Sequence, residues 1–482
     1  MDYCVSCGTR TGRIAVPASK SYAHRLLISA ALGDLDSEIV CDGISKDIQA
    51  TIDCLSALGA RIEVHSDRIS VSPINREQLR HGRDLTVKWG RLESTQDCEA
   101  EGAEQKVILP CNESGSTLRF LIPVVGALGR HVTFKMAGKL SERPLDELKA
   151  ALTAHGMRFT QNGALLECEG QLTSGEYVIP GNISSQYISG LLFALPLLEG
   201  DSTIKVTGRT ESCDYIRMTV ETIEAMGIDV SATAEGFFIR GGQKYGPESV
   251  GAGLHPEAQV PTLQQGLSVE KDWSNAAFFV CMGAMSEEGI VLEGMNTESA
   301  QGDRQILEVV QKFGARVEIT ENEISIRRCE AIEDEINGGK AEASENEINV
   351  EQGGNLGSRV IDASTIPDLV PTIAALASVS QGETRIVGAS RLRFKESDRL
   401  MTTTAMLKNL GADITETEDG LVIIGKETLA GGETETFNDH RIAMAAAVAA
   451  CRCTSDVVIK GCECTAKSYP MFFDDLEKME VK

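Results

Sequence analysis

No apolar run in this 482-residue chain is long enough to span a membrane. Hydrophobic residues make up 42% of the sequence, and the longest stretches are broken by Gly, Ser or charge. The opening residues, MDYCVSCGTR, lack the basic start and apolar stretch of a secretory signal, so a cytoplasmic protein is expected. Positive charge is also scarce. Forty-six Lys and Arg stand against 71 Asp and Glu, and the net charge of −25 repels a phosphate backbone, which argues against nucleic acid as a partner. Any anionic ligand must therefore be met by a local basic cluster. There is no dinucleotide fingerprint. Fourteen cysteines include a CxxC at Cys4 and Cys7 and a late group at Cys451, Cys453, Cys462 and Cys464. No matching histidine spacing accompanies them, so they read as small buried residues or free thiols, and no metal is assigned.

What is present is repetition. A helix-like segment that closes on Gly and runs into two alternating stretches joined by a polar turn occurs five times, from Ala57, Ala154, Ala225, Lys312 and Asn409. Gly59, Gly156, Gly227, Gly314 and Gly411 fit the left-handed position after a helix, and the alternation fits a β-hairpin. A sixth helix, near residues 471–480, has no hairpin after it, and residues 13–16 are expected to supply the missing strand. A second pattern is an Ala- and Leu-rich helix preceded by Ser, Asp or Asn, at 21–32, 116–128, 184–198, 272–285, 364–379 and 438–450. Helices apolar on nearly every face must be buried. Their N-termini, with Arg25, Arg119, Ser184, Ser185, Gln186, Asp368, His440 and Arg441, then become anion-attracting ends.

Three repeats precede the polar stretch at 241–259 and three follow it. Two similar domains with a cleft between them are expected. Polar excursions at about 75–106 and 330–354 read as surface insertions.

The segment RLRFKESDRL, residues 391–400, packs four cations among two carboxylates in an acidic chain. It fits a solvated salt-bridge network or part of an anion site. Lys20, before a buried helix, is a solvated charge or a phosphate ligand; Gly115 permits close backbone approach; Arg143 is placed in a helix's first turn, against the macrodipole. Asp368 and Glu396 offer two carboxylates for general acid and base work, Asp368 also fitting a helix cap. His440 equally fits a capped, buried histidine, and Lys467 follows the last apolar strand.

Taken in order, PASKS, ESGSTLR, SERP, SSQ, QGD, IPD, FKESDRL, NDHR and CTAK resemble the 5-enolpyruvylshikimate-3-phosphate synthase family over nearly the whole chain. The resemblance implies an α/β fold of two similar domains, each of three repeated units with buried parallel helices and short-stranded sheets, the inside-out α/β barrel of enolpyruvyl transferases. It sets the domains at 18–267 and at 1–17 plus 268–482, with the active site in the cleft. It implies a transferase of the shikimate pathway, a glyphosate target, that moves the enolpyruvyl group of phosphoenolpyruvate to the 5-hydroxyl of shikimate 3-phosphate, without a cofactor and as a monomer. Its small-molecule substrates are its only implied partners, with no membrane. Carried over by motif, Lys20, Gly115, Arg143, Gln186, Arg399, Arg441 and Lys467 meet phosphoenolpyruvate. Lys20, Ser21, Arg25, Ser184, Ser185, Gln186, Ser212, Tyr215, Asp368 and Lys395 hold shikimate 3-phosphate. Lys20, Asp368 and Glu396 are the implied catalytic residues, Glu396 as the main proton donor and later acceptor. Ala18, Glu113 and Arg391 depart from the family's usual residues, and Glu113 is left out of the site. The rivals are a UDP-N-acetylglucosamine enolpyruvyl transferase, which normally carries Lys-Asn where Lys20-Ser21 stands, and a non-catalytic sensor of shikimate phosphate.

Overall fold

The computed structural model describes residues 1–75, 107–246, 267–329 and 358–482. The expected insertions at 75–106 and 330–354, and most of the polar stretch at 241–259, lie outside the described residues. The chain divides into two compact units, Ala18–Glu270 and Met1–Pro17 with Lys271–Lys482. Among the described residues, the α-helices in chain order are α1 (Lys20–Ala31), α2 (Lys46–Ala57), α3 (Gly115–Ala127), α4 (Asp146–Thr153), α5 (Ser185–Ala194), α6 (Cys213–Ala225), α7 (Trp273–Ala284), α8 (Ile306–Lys312), α9 (Val370–Ser378), α10 (Arg399–Asn409), α11 (His440–Ala450) and α12 (Phe472–Glu477).

Each unit is three copies of one motif: a strand, a buried helix, a parallel strand, a second helix and, in five of the six copies, a hairpin folded back on the second strand. In one copy Glu176–Pro180 pairs parallel with Ser202–Thr207, which pairs antiparallel with Gly236–Ile239. The second helices α2, α4, α6, α8 and α10 end before Gly59, Gly156, Gly227, Gly314 and Gly411, and all five glycines have positive φ, from 79° to 109°. The helix-then-hairpin repeat read in the sequence is thus present five times. The sixth unit closes differently from the expectation. Asp2–Val5, not residues 13–16, pairs antiparallel with Val457–Lys460 and stands where the hairpin would be. Arg10–Ile14 instead leads the α7 copy, parallel to Ile290–Glu293. The strand leading the α1 copy is correspondingly Leu267–Ser268, parallel to Ser37–Val40. A strand's pairing is set by which parallel edge is open in its own unit, and proximity in sequence to the helix that follows does not decide it.

The first helices are buried because their sequences leave no polar face. Every residue of α9 and of α11 is buried. Gly190 lets α5 approach α3, since a Cβ there would stand 2.5 Å from the Arg119 carbonyl oxygen. Each unit has its own core, one around α1, α3 and α5 and one around α7, α9 and α11. Ser184 and Asp272 cap α5 and α7 where expected, Ser19 and Ser114 cap α1 and α3 two residues upstream of the expected starts, and Asp439 caps α11 one residue downstream of Asn438; each accepts from a backbone N–H of its helix. Ser364 does not cap α9. That helix is entered through the short turn Pro367–Leu369, where prolines have no N–H to satisfy. The late cysteines are small buried residues; burial pushes the thiols of Cys451, Cys453 and Cys462 up to about 12 and that of Cys464 to about 11.

The glycine ends differ in crowding. A Cβ on Gly314 meets nothing within 4 Å, whereas one on Gly156 would lie 2.5 Å from the Gln171 carbonyl oxygen. Gly314→Ala should cost about 1–2 kcal/mol for the left-handed backbone alone. Gly156→Ala should cost at least about 1 kcal/mol more, read as the larger drop in urea midpoint.

Candidate active site

In the Lys271–Lys482 unit the charged segment 391–400 divides into two roles. Arg393 is taken up locally, by Asp398 at 3.1 Å, Glu416 at 2.6 Å and two carbonyls, as a surface network would be. Arg391 donates to the Ser364 carbonyl at 2.7 Å. The other half turns inward. Asp398 caps α10, and Arg399, its first residue, is 1% exposed. Its guanidinium reaches Asp368 Oδ1 at 2.8 Å, Glu396 Oε2 at 2.5 Å and Asp439 at 2.8 and 3.2 Å. Burial alone would lower its proton affinity, but the three carboxylates together raise it, so the charge is fixed.

Asp368 is the common partner of the cations. Lys395 Nζ stands 3.3 Å from Oδ1, and Arg441 donates to Oδ2 at 3.2 Å and to the Asp368 carbonyl at 3.1 Å. Burial pushes the Asp368 carboxyl up, yet Arg441, Lys395 and Arg399 outweigh it and hold it well below the usual carboxylate range. Arg441 sits at the buried start of α11, reached through Phe437 and Asn438, both left-handed at φ 53° and 57°. Such backbone is costly without Gly and turns the Asn438 carbonyl toward Lys467, whose Nζ donates to it at 2.7 Å. His440 is buried beside Asp439, 3.9 Å away. Asp303, 2% exposed, accepts from the Ser274 hydroxyl, and burial with the charge of Asp368 pushes its carboxyl up to about 6.

In the Ala18–Glu270 unit, a second group gathers at the N-termini of α1, α3 and α5. Lys20 pairs with Asp47 at 2.9 Å. Arg25 is buried and donates to neutral acceptors: Thr219 Oγ1 at 2.8 Å and the Ser21 and Tyr215 carbonyls at 2.7 Å. Burial pushes its guanidinium down to about 10. Arg119 donates to Gln186 at 3.1 Å and to the Pro144 carbonyl at 3.1 Å, while Gln186 donates to Ser116 at 2.9 Å. Gly115 lies between two guanidiniums, for a Cβ there would stand 2.7 Å from an Arg119 nitrogen and 2.9 Å from an Arg143 nitrogen. Arg143 is not in a helix's first turn as expected; it is extended after the short turn Leu140–Glu142, so the Pro144 break rather than a helix end sets its direction. Ser212, left-handed at φ 53°, begins α6 ahead of Tyr215. Glu113 lies against Gly138, where a Cβ would meet its carboxylate at 2.6 Å.

The predicted residues therefore fall into two sets, Asp368, Lys395, Glu396, Arg399, Arg441 and Lys467 in one unit, and Lys20, Ser21, Arg25, Gly115, Arg143, Ser184, Ser185, Gln186, Ser212 and Tyr215 in the other. Asp47, Asp303 and Asp439 were not singled out by sequence. Asp439 carried a signal as the acid of NDHR, and Asp303 as that of QGD, but Asp47 is one acid among many until the fold sets it against Lys20. A cavity of about 600 Å³ near Gly129, Gln171 and Glu199 lies at the opposite, C-terminal ends of α3 and α5, where free carbonyls disfavour an anion.

Asp303 gives a pH test. Because its folded pKa of about 6 exceeds the unfolded carboxylate value, its ionisation removes stability as pH rises from near 4 through 6. Asp303→Asn should stabilise the protein by about 1–3 kcal/mol above pH 6 and by little near pH 4, measured as urea unfolding at both pH values.

The EPSP synthase family model, described as 3-phosphoshikimate 1-carboxyvinyltransferase, matches residues 7–476. A 3-phosphoshikimate 1-carboxyvinyltransferase of Clostridium kluyveri is 38% identical over 471 residues, 97% of this chain and 95% of that one. Its counterpart in Clostridium acetobutylicum is 39% identical over 472 residues, with the same 97% and 95% coverage. Among solved structures, the EPSP synthase of Acinetobacter baumannii superposes with a TM-score of 0.70 at 22% identity, covering 100% of this chain and 99% of that one, which establishes the fold. The buried helices with anion-attracting ends, the repeated sheets and the match along nearly its full length agree: the chain belongs to the EPSP synthase (3-phosphoshikimate 1-carboxyvinyltransferase) family.

Proposed function

We propose that this chain transfers the enolpyruvyl group of phosphoenolpyruvate to the 5-hydroxyl of shikimate 3-phosphate, releasing phosphate, in chorismate and aromatic amino-acid biosynthesis. The observation that carries the reading is the family match over residues 7–476 together with two carboxylates, Asp368 and Glu396, held on one buried guanidinium.

The reaction adds a proton to the methylene carbon of phosphoenolpyruvate while the 5-hydroxyl attacks the neighbouring carbon. The tetrahedral intermediate then loses a methyl proton and expels phosphate. Glu396 gives a proton to that carbon and later takes one back from the methyl group, while Asp368 takes the proton of the attacking hydroxyl, a proton that leaves with the departing phosphate. Resting Asp368 is a poor base because three cations hold it. Substrate phosphates and carboxylates draw Lys395 and Arg441 toward themselves, and the basicity of Asp368 rises with that loss of neighbours. Lys395 and Ser21, Arg25, Ser184, Ser185, Gln186, Ser212 and Tyr215 hold shikimate 3-phosphate. Arg143, Arg399, Arg441, Lys467 and Gln186 with Gly115 meet phosphoenolpyruvate, and Lys20 supports both substrates and the departing phosphate. The cations offset repulsion between two polyanions. Roles drawn from both units imply that substitutions in either one reduce the same turnover. Free thiols such as those of Cys54, Cys111, Cys168 and Cys281 support a reducing, cytoplasmic setting.

Purified protein should release phosphate from phosphoenolpyruvate with shikimate 3-phosphate and not with UDP-N-acetylglucosamine; the reverse preference would move the acceptor assignment. Glu396→Gln should retain binding of both substrates yet lose turnover by roughly 10²-fold or more, and near-normal turnover would remove Glu396 from its role. Gly115→Ala pushes on both guanidiniums and should raise the KM for phosphoenolpyruvate by on the order of 10-fold, with shikimate 3-phosphate affinity little changed.

A further inference from the structure

The proposed activity leaves one buried polar chain unassigned. His24, one turn past Lys20 on α1, places Nδ1 2.7 Å from Thr51 Oγ1 on α2. Thr51 Oγ1 lies 2.6 Å from Thr117 Oγ1 on α3, and the Thr117 hydroxyl donates to Ser114 Oγ at 2.7 Å. None of the four is more than 1% exposed. Counting hydrogens gives the chain a direction, because each hydroxyl has one to donate. Thr117 spends its hydrogen on Ser114, so Thr51 donates to Thr117 and His24 donates from Nδ1–H to Thr51. The imidazole therefore carries its proton on Nδ1, and Nε2 has no hydrogen-bond partner among the described residues. Burial, with Lys20 and Arg25 nearby, holds His24 well below its ordinary value and keeps it neutral.

An orphaned buried nitrogen costs stability, and an apolar side chain would fill the same space without that cost. What the polar chain supplies is geometry. Residues 20 and 24 on α1 face 47 and 51 on α2, so the Lys20–Asp47 ion pair and the His24–Thr51 hydrogen bond form two successive rungs between these helices. Thr51 then ties α2 to the first turn of α3, where Ser114 caps the helix and Gly115 sits between the guanidiniums of Arg119 and Arg143. The chain thus starts one turn from one cation and ends one residue from the meeting point of two others.

We propose that His24, Thr51, Thr117 and Ser114 are a positioning chain that fixes the Lys20 ammonium relative to the Gly115 turn, so that one small phosphorylated carboxylate is gripped by both. This rests on the function proposed above, in which both groups meet phosphoenolpyruvate. A grip of this kind fails with displacements of well under 1 Å, and a directed hydrogen-bond chain between three helix starts restricts such slippage more than apolar contact does. Arg25 is held separately, by Thr219, Ser21 and Tyr215, so of the shikimate 3-phosphate ligands only Lys20 is placed by the chain's first rung, and the rest of that set does not depend on it.

The test is Thr51→Val, which cuts the chain at nearly constant volume, with Thr51→Ser as the rescue. Affinity for phosphoenolpyruvate is measured by calorimetry in the presence of shikimate 3-phosphate, followed by KM, kcat and melting temperature. Thr51→Val should weaken phosphoenolpyruvate binding by roughly 10-fold or more, leave shikimate 3-phosphate affinity within about threefold, and be restored by Thr51→Ser. A loss of melting temperature with phosphoenolpyruvate affinity and KM within twofold of wild type would make the chain structural only and overturn the proposal, as would a Ser variant that behaves like Val. If Thr51→Val does not fold, Ser114→Gly removes the end of the chain while keeping a residue tolerated at helix caps, and the same outcomes apply. Wild-type protein that binds phosphoenolpyruvate but releases no phosphate would count against the proposed function alone, since the affinity ratio still tests the chain.

Discussion

A single buried guanidinium organises the charged cluster of the Lys271–Lys482 unit. Arg399 is withdrawn from water and could not remain charged there without compensation, and Asp368, Glu396 and Asp439 supply it. The arrangement works in both directions. The carboxylates hold the arginine's charge, and the arginine keeps two proposed proton carriers side by side when mutual repulsion would separate them. Asp439 has a further duty as the cap of α11, so the same residue that anchors Arg399 also sets the start of the helix bearing Arg441. Removing it would leave a buried charge underpaired and a helix start unsatisfied at once.

Around this lies a constraint of the fold itself. Helices without a polar face must be surrounded by protein, and only their ends can present polar groups. In both units the first helix of each motif is of this kind, so polar side chains concentrate at N-terminal ends, where free N–H groups and the macrodipole favour anions. An enzyme of two phosphorylated, carboxylated substrates is well served by such ends. The net charge of −25 then becomes intelligible: attraction is local, built from a few oriented cations, while the remainder of the surface is acidic.

The repeat was legible because it has strong local causes. Left-handed glycines after helices and alternating stretches behind them are short-range signals, and all five came out as read. Ser184 was likewise read correctly as a cap because its partner, the Gln186 N–H, is two residues away. Legibility failed where a choice between equivalent partners had to be made. Residues 13–16 and Asp2–Val5 are both plausible edge strands, and only the open edge beside Val457–Lys460 selects the latter. Arg143 followed a helix-like pattern, but the proline after it dictates extended backbone.

Sequence by itself determined the family, the number of repeats, the buried character of the helices and the types of charged residue available, because these depend on composition and on spacing within a few residues. Tertiary structure alone decided which charges meet. Arg393 and Arg399 are six residues apart in one basic run, yet one is spent on local acids and the other is buried among Asp368, Glu396 and Asp439. Asp47 became the partner of Lys20, and His24 the head of a hydrogen-bonded chain, only when α1, α2 and α3 packed together. The physical reason is that a Coulomb or hydrogen-bond energy depends on distances of a few ångströms in space, which separation along the chain does not specify.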